Sequence, residues 1–154
     1  MVAIQDLYDE KFSHCYGCGK SNPEGNQLKS YVGNGETLAR FLPKPEQTGG
    51  VPEHAYGGLI ASLFDCHGAA SAAAFDYEAT TGSLGENSQL KRYVTASLKV
   101  EFLRPTPMGE EIMIRGKCRS IDGRKVWVDM EISVGGDVCA KAEMLAIQLK
   151  QQTS

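Results

Sequence analysis

Several things that would mark a specialised protein are scarce or missing from this sequence. Charge of one sign is not in excess: 16 Lys and Arg stand against 19 Asp and Glu, a net charge of -3, which gives no general reason to expect a nucleic-acid partner. No second Cys-x-x-Cys pair accompanies Cys15-x-x-Cys18, and a structural zinc wants four ligands at paired spacing, so no metal and no cofactor are expected. The five cysteines are odd in number, and Met1–Lys11 lacks a secretory signal pattern. Both absences predict reduced thiols and a cytoplasmic location. A clean membrane span is also missing. The longest apolar stretch, Gly57–Phe75, carries Asp65 and His67 near its middle, and both are costly in lipid. No internal repeat or low-complexity tract breaks the chain.

What is present is an ordinary globular composition, 42% apolar and 23% charged over 154 residues. That predicts one domain spanning 1–154, able to close a core without disulfide staples. Residues 1–25 read as a turn and loop segment, with a short helical piece at Asp6–Phe12 and turns through His14–Gly19 and Ser21–Gly25. Gln27–Val32 and Glu36–Leu42 read as strands joined by the turn signal Gly33–Gly35 (GNG). Pro43 to Pro52 is too broken for regular structure. Gly57–Phe75 is the one strong helix, rich in Ala and Leu and apolar almost all round, so it must be buried on every side. Asp76 to Arg92 reads as a polar connection.

Four strand-like runs follow, each alternating with period two. In Thr95–Leu103, Ala96, Leu98, Val100 and Phe102 share the buried face, which points Thr95 away unless a bulge intervenes. In Glu111–Ser120, Ile112, Ile114 and Cys118 face in, and Arg115, Lys117 and Arg119 face out. Lys125–Val134 buries Val126, Val128, Met130, Ile132 and Val134. Val138–Leu149 closes the series. Hairpin turns at Asp122-Gly123 and Gly135-Gly136 make the sheet antiparallel. The predicted class is α+β: a curved antiparallel sheet wrapped around one long buried helix.

Tyr56–Asp65 (YGGLIASLFD), followed by an Ala-rich helix and then by Val94–Pro107 (VTASLKVEFLRPTP), resembles the hotdog-fold thioesterases of the phenylacetate-pathway type. The resemblance runs in element order from about Asn22 to Leu149. It implies a hotdog fold, hydrolysis of acyl-CoA or acyl-ACP thioesters, and a site shared by two chains in a homodimer or homotetramer. Gly57 would be the oxyanion donor and Asp65 the general base or nucleophile. Thr95 would orient the carboxylate or the water. The physics agrees with this assignment: free amides at a helix start form a positive end, and glycine lets a carbonyl approach them. Asp65 lies about 12 Å further along the axis, too far to serve its own Gly57, so it would serve the partner's.

Tyr56 stands where that family carries a histidine, and a phenol cannot supply a ring nitrogen. His54 is the polar residue nearby that could stand in, with Tyr56 and Gly58 placed as substrate contacts. Arg92 and Arg104 are the candidates for the CoA phosphates. His67 sits about 200° around the helix from Asp65 and reads as a core or interface residue. Cys66, Cys118 and Cys139 read as scattered, with Cys66 a small core residue. A hotdog dehydratase or hydratase is the alternative enzyme, and it would need His54 and Asp65 to converge on one substrate carbon. A non-catalytic acyl-CoA-binding protein is disfavoured by the cost of an idle carboxylate in an acyl tunnel.

Overall fold

A computed structural model of the chain describes residues 1–150; the expected domain end at Ser154 lies outside the described residues. After two 3₁₀ turns (Ile4–Leu7 and Glu10–Phe12), the described elements are β1 (Ser30–Gly33), β2 (Glu36–Phe41), α1 (Gly57–Thr80), β3 (Tyr93–Phe102), β4 (Ile112–Asp122), β5 (Lys125–Val134) and β6 (Asp137–Gln148). The strands form one curved antiparallel sheet in the order β1-β2-β4-β5-β6-β3. α1 packs across β3, β4, β5 and β6. This is the hotdog arrangement: the helix is too apolar to face water, and one sheet curls round it.

Local chemistry sets the turns. At the β1–β2 hairpin, Asn34 and Gly35 have φ of 54° and 76°, the two left-handed conformations that an Asn-Gly turn needs to match strand twist. β5 buries Val126, Val128, Met130, Ile132 and Val134, as its alternation requires. These meet Leu59, Ile60, Leu63, Phe64, Ala72, Ala73 and Phe75 of α1 in the main core.

Four expectations need correction. The helix does not stop at Phe75 but runs to Thr80, because Asp76 is buried in company: Lys91 Nζ lies 3.5 Å from its carboxylate. β1 begins at Ser30 rather than Gln27, since Gln27 takes a left-handed φ of 52°. Cys118 is exposed rather than inward, because the far end of β4 runs past the core and carries a bulge between Cys118 and Ser120. Phe102 of β3 is exposed because it lies at the end of the strand against Gly57, still on the side of Leu98 and Val100, and Ala96 is exposed as well. Here a bulge shifts the register between Thr95 and Ser97. It flips the alternation, so that Tyr93 and Thr95 before it and Leu98 and Val100 after it all turn toward the helix.

His67 is completely buried and belongs to the core. Its Nδ1 lies 2.8 Å from Ser30 Oγ and its Nε2 3.0 Å from Thr37 Oγ1. Ser71 donates to the His67 carbonyl at 2.6 Å and so receives the Thr37 proton at 2.6 Å. Thr37 then accepts from Nε2–H, and Ser30 donates to Nδ1. Burial pushes the imidazole pKa down to about 4, which keeps it neutral as this proton count requires. Replacing His67 by Leu should destabilise the fold by about 2 kcal/mol, because two buried hydroxyls lose their shared partner. A lower urea midpoint at unchanged slope would show it.

Candidate active site

α1 opens at Gly57 with Tyr56 as its cap residue, and no side chain caps the end. The amides of Leu59 and Ile60 both turn back to the Tyr56 carbonyl, at 3.0 and 3.3 Å. Those of Gly57 and Gly58 have no acceptor among the described residues, so two donors at the positive helix end are available to a ligand. The Tyr56 ring folds over this end: a Cβ on Gly58 would lie 2.4 Å from it. Glycine at 58 therefore makes room for the phenol, and Phe102 of β3 flanks Gly57.

Two turns further on, Asp65 is the one strongly exposed residue in the middle of α1. Gly58, Ala61, Ser62, Asp65 and Ala69 follow helical spacing, and all escape full burial. They form a narrow open stripe of mostly small side chains along an otherwise enclosed helix. Thr95 donates to Asp65 Oδ1 at 2.5 Å. The β3 bulge brings the hydroxyl to this side of the strand. A carboxylate held on one oxygen by a hydroxyl, with its other oxygen free, can accept a proton from water or attack a carbonyl.

A cavity of about 170 Å³ adjoins the pair, lined among others by Asp65, Thr95, Tyr8, Arg92, Cys15 and Cys66. Arg92 is half-buried, with its guanidinium 5.2 Å from the Tyr8 ring centre and 5.1 Å from that of Phe12. It also lines a neighbouring cavity of about 580 Å³ together with Lys11, Lys91 and Lys150. His54 and Arg104 are not brought here. His54 is exposed on the loop before α1, where its backbone bridges to Pro107. Arg104 is exposed past the end of β3, its amide bonded to the Cys139 carbonyl at 3.1 Å.

Cys66 is a buried core residue, as its small apolar surroundings suggested, but it is not scattered away from Cys15 and Cys18. The Sγ atoms of Cys15, Cys18 and Cys66 lie within 4.8 Å of one another. The Cys18 and Cys66 thiols and two loop amides direct hydrogen bonds at Cys15, which holds its thiol well below the usual range. The Cys15 contact, with burial, pushes Cys18 up to about 12 against a lowering contact from Cys66, and the Cys15 and Cys18 contacts, with burial, push Cys66 upward. Spacing along the sequence could not show this, because Cys66 is 48 positions beyond Cys18 and only the docking of the loop on α1 joins them. Tyr8, in the N-terminal segment, was missed for the same reason.

A single curved antiparallel sheet around one long buried helix defines a hotdog domain, and this one carries a carboxylate at mid-helix and free amides at the helix start. The chain belongs to the thioesterase superfamily, whose family model matches residues 53–141. It is 30% identical over 110 residues to the acyl-coenzyme A thioesterase THEM4 of Xenopus laevis; the match takes in 71% of this chain but only 43% of that protein's length. A crystal structure of a thioesterase superfamily protein from Shewanella loihica is 37% identical, covering 93% of this chain and 100% of that one, with a TM-score of 0.69. The PaaI protein of the E. coli phenylacetic acid degradation operon shares the fold at 16% identity, covering 82% of this chain and 83% of that one, with a TM-score of 0.65.

Proposed function

We propose that this protein hydrolyses acyl-CoA thioesters in a site assembled from two copies of the chain. The observation that carries the reading is the exposed Asp65 carboxylate held by Thr95 on the open stripe of a helix whose first amides are free. The thioester carbonyl would rest on the amides at Gly57 and Gly58 of one protomer, which stabilise the developing oxyanion. Asp65 of the other would take a proton from the attacking water, or attack the carbonyl itself. In the first route a carbon–oxygen bond forms to water, the carbon–sulfur bond breaks, and the proton taken by Asp65 passes to the departing thiolate. In the second, Asp65 displaces the thiolate to form an acyl anhydride. Water then cleaves the anhydride to release the acid and restore the carboxylate, supplying the proton with which the thiolate leaves as free CoA. Tyr56 would flank the bound thioester.

Three features support the paired site. The outer edge of β3 has no strand beside it among the described residues. Tyr56, Phe102 and Leu103 expose 57%, 58% and 52% of their surface at the same end of the molecule, and adjoining exposed apolar side chains suit a contact surface for a second chain. The small-residue stripe would let a second helix approach closely. Arg92, with Lys11 and Lys91 around the larger cavity, is the best-placed cation for the CoA phosphates, and Arg104 would meet them only from the partner side. The acyl-CoA carrier follows the name of the Xenopus relative; acyl-ACP would use the same chemistry. A cytoplasmic location belongs to the same proposal.

The test is a panel of acyl-CoA substrates of varied length and aromaticity, with released thiol read by colour. At least one should turn over with kcat/KM of about 10⁴ M⁻¹s⁻¹ or more. No thiol release from any member, with acyl-CoA bound unchanged, would replace this reading by that of a binding protein. Hydration of an enoyl-CoA without thiol release would replace it by that of a hydratase.

A further inference from the structure

The cluster formed by Cys15, Cys18 and Cys66 is not used by the thioesterase reading, and its geometry is specific. Two of its sulfurs come from the loop 13–25 and the third from α1, one residue after Asp65. The Cys15 and Cys66 sulfurs are 3.8 Å apart, far beyond a disulfide bond of about 2.05 Å. A tetrahedral ion with metal–sulfur bonds of about 2.3 Å holds its sulfurs about 3.8 Å from one another. The Cys15–Cys66 separation therefore matches one edge of such a site, and the other two sulfur–sulfur separations are within 4.8 Å.

The loop is built to hold them there. The Gly17 amide donates to Cys15 Sγ at 3.3 Å, the kind of outer contact that steadies a thiolate ligand. Gly17 packs so tightly that a Cβ would lie 2.3 Å from Cys66 Sγ. Gly19 and Gly25 close the loop on itself, where a Cβ would come within 2.4 Å of the Cys15 amide nitrogen and 2.1 Å of the Tyr16 carbonyl oxygen. The Cys18 and Cys66 thiols are buried, whereas Cys15 lies at the rim. All three line the 170 Å³ cavity that also holds Asp65 and Thr95.

We propose that Cys15, Cys18 and Cys66 bind one thiophilic divalent ion, zinc by preference, as three thiolates, with the fourth position open to that cavity. Thiolates select such ions over magnesium or calcium. Three protein ligands with one open position is an arrangement zinc adopts readily. The ion would tie the loop 13–25 to the helix turn that carries Asp65. This runs against the expectation drawn from counting paired cysteines, because the third ligand would be supplied by the fold rather than by a second motif.

The test needs no thioesterase activity, so it stands apart from the preceding proposal. The protein is purified without chelator, its metal content is measured, and the chelated protein is titrated with Co²⁺ under reducing conditions. The expected result is about one ion per chain, together with thiolate-to-cobalt charge-transfer absorption. Cys66→Ser should lower the affinity more than about a hundredfold, and Cys118→Ser, outside the cluster, should leave it unchanged. Because Cys66 is buried, Cys15→Ser at the rim is the companion variant that keeps the core intact, and it should weaken binding similarly. A folded protein that develops no charge-transfer band would overturn the proposal. So would a band unaffected by both Cys15→Ser and Cys66→Ser.

Discussion

Asp65→Asn should leave the fold intact and lower thioester hydrolysis by about 10²–10⁴-fold, equivalent to roughly 3 to 5 kcal/mol of transition-state stabilisation. The amide is nearly isosteric, and Asp65 is exposed on α1, so no core contact is lost. Its carbonyl oxygen can still accept from Thr95, which now donates to Oδ1 at 2.5 Å. What disappears is the capacity to take a proton from water or to form a bond to the acyl carbon. Binding of acyl-CoA should be largely kept, because the amides at Gly57 and Gly58 and the cation at Arg92 are untouched. The loss should therefore fall on kcat, with KM nearly unchanged. Steady-state kinetics on the best substrate of the panel would decide this. Wild-type turnover in the variant would remove Asp65 from the chemistry and leave His54 as the next base to test, since His67 is sealed in the core with both ring nitrogens engaged.

Mixing two inactive variants should restore activity. In a symmetric dimer each site would take Asp65 from one chain and Gly57 from the other. Asp65→Asn damages the first contribution. Gly57→Val damages the second by crowding the approach to the helix start, where a Cβ itself would only touch the Phe102 ring at 3.7 Å. A mixed dimer contains one site with both defects and one with neither. Random reassociation of equal amounts should then recover about one quarter of wild-type activity. Thiol release after co-refolding, with light scattering to confirm the dimer, measures the outcome. No recovery in a sample shown to contain mixed dimers would place both residues' action within one chain. A fully active monomer would contradict the two-chain site outright.

The fold was largely legible because its signals are local. The strict alternation of Lys125–Val134, the Asn34-Gly35 turn and the apolar run after Gly57 each carry their meaning within a few residues, and a helix apolar on nearly every side leaves a wrapped sheet as its natural burial. Asp65 was visible for a related reason: a carboxylate stands out in a largely apolar stretch, directly between Phe64 and Cys66. The helix end at Thr80 was not, because Lys91 offsets the charge of Asp76 from across a connection.

By itself, then, the sequence determined the element types, the enclosed helix and the carboxylate upon it. The tertiary structure decided which distant residues meet. Thr95 reaches Asp65 only because a bulge at Ala96 inverts the strand's alternation. Cys15 and Cys18 reach Cys66 only because a glycine-tight loop docks on α1. His54 and Arg104 stay outside the Asp65 cavity of the single chain. The physical reason is range: propensity and periodicity act over a few residues, whereas a site is set by how surfaces far apart in the sequence close-pack.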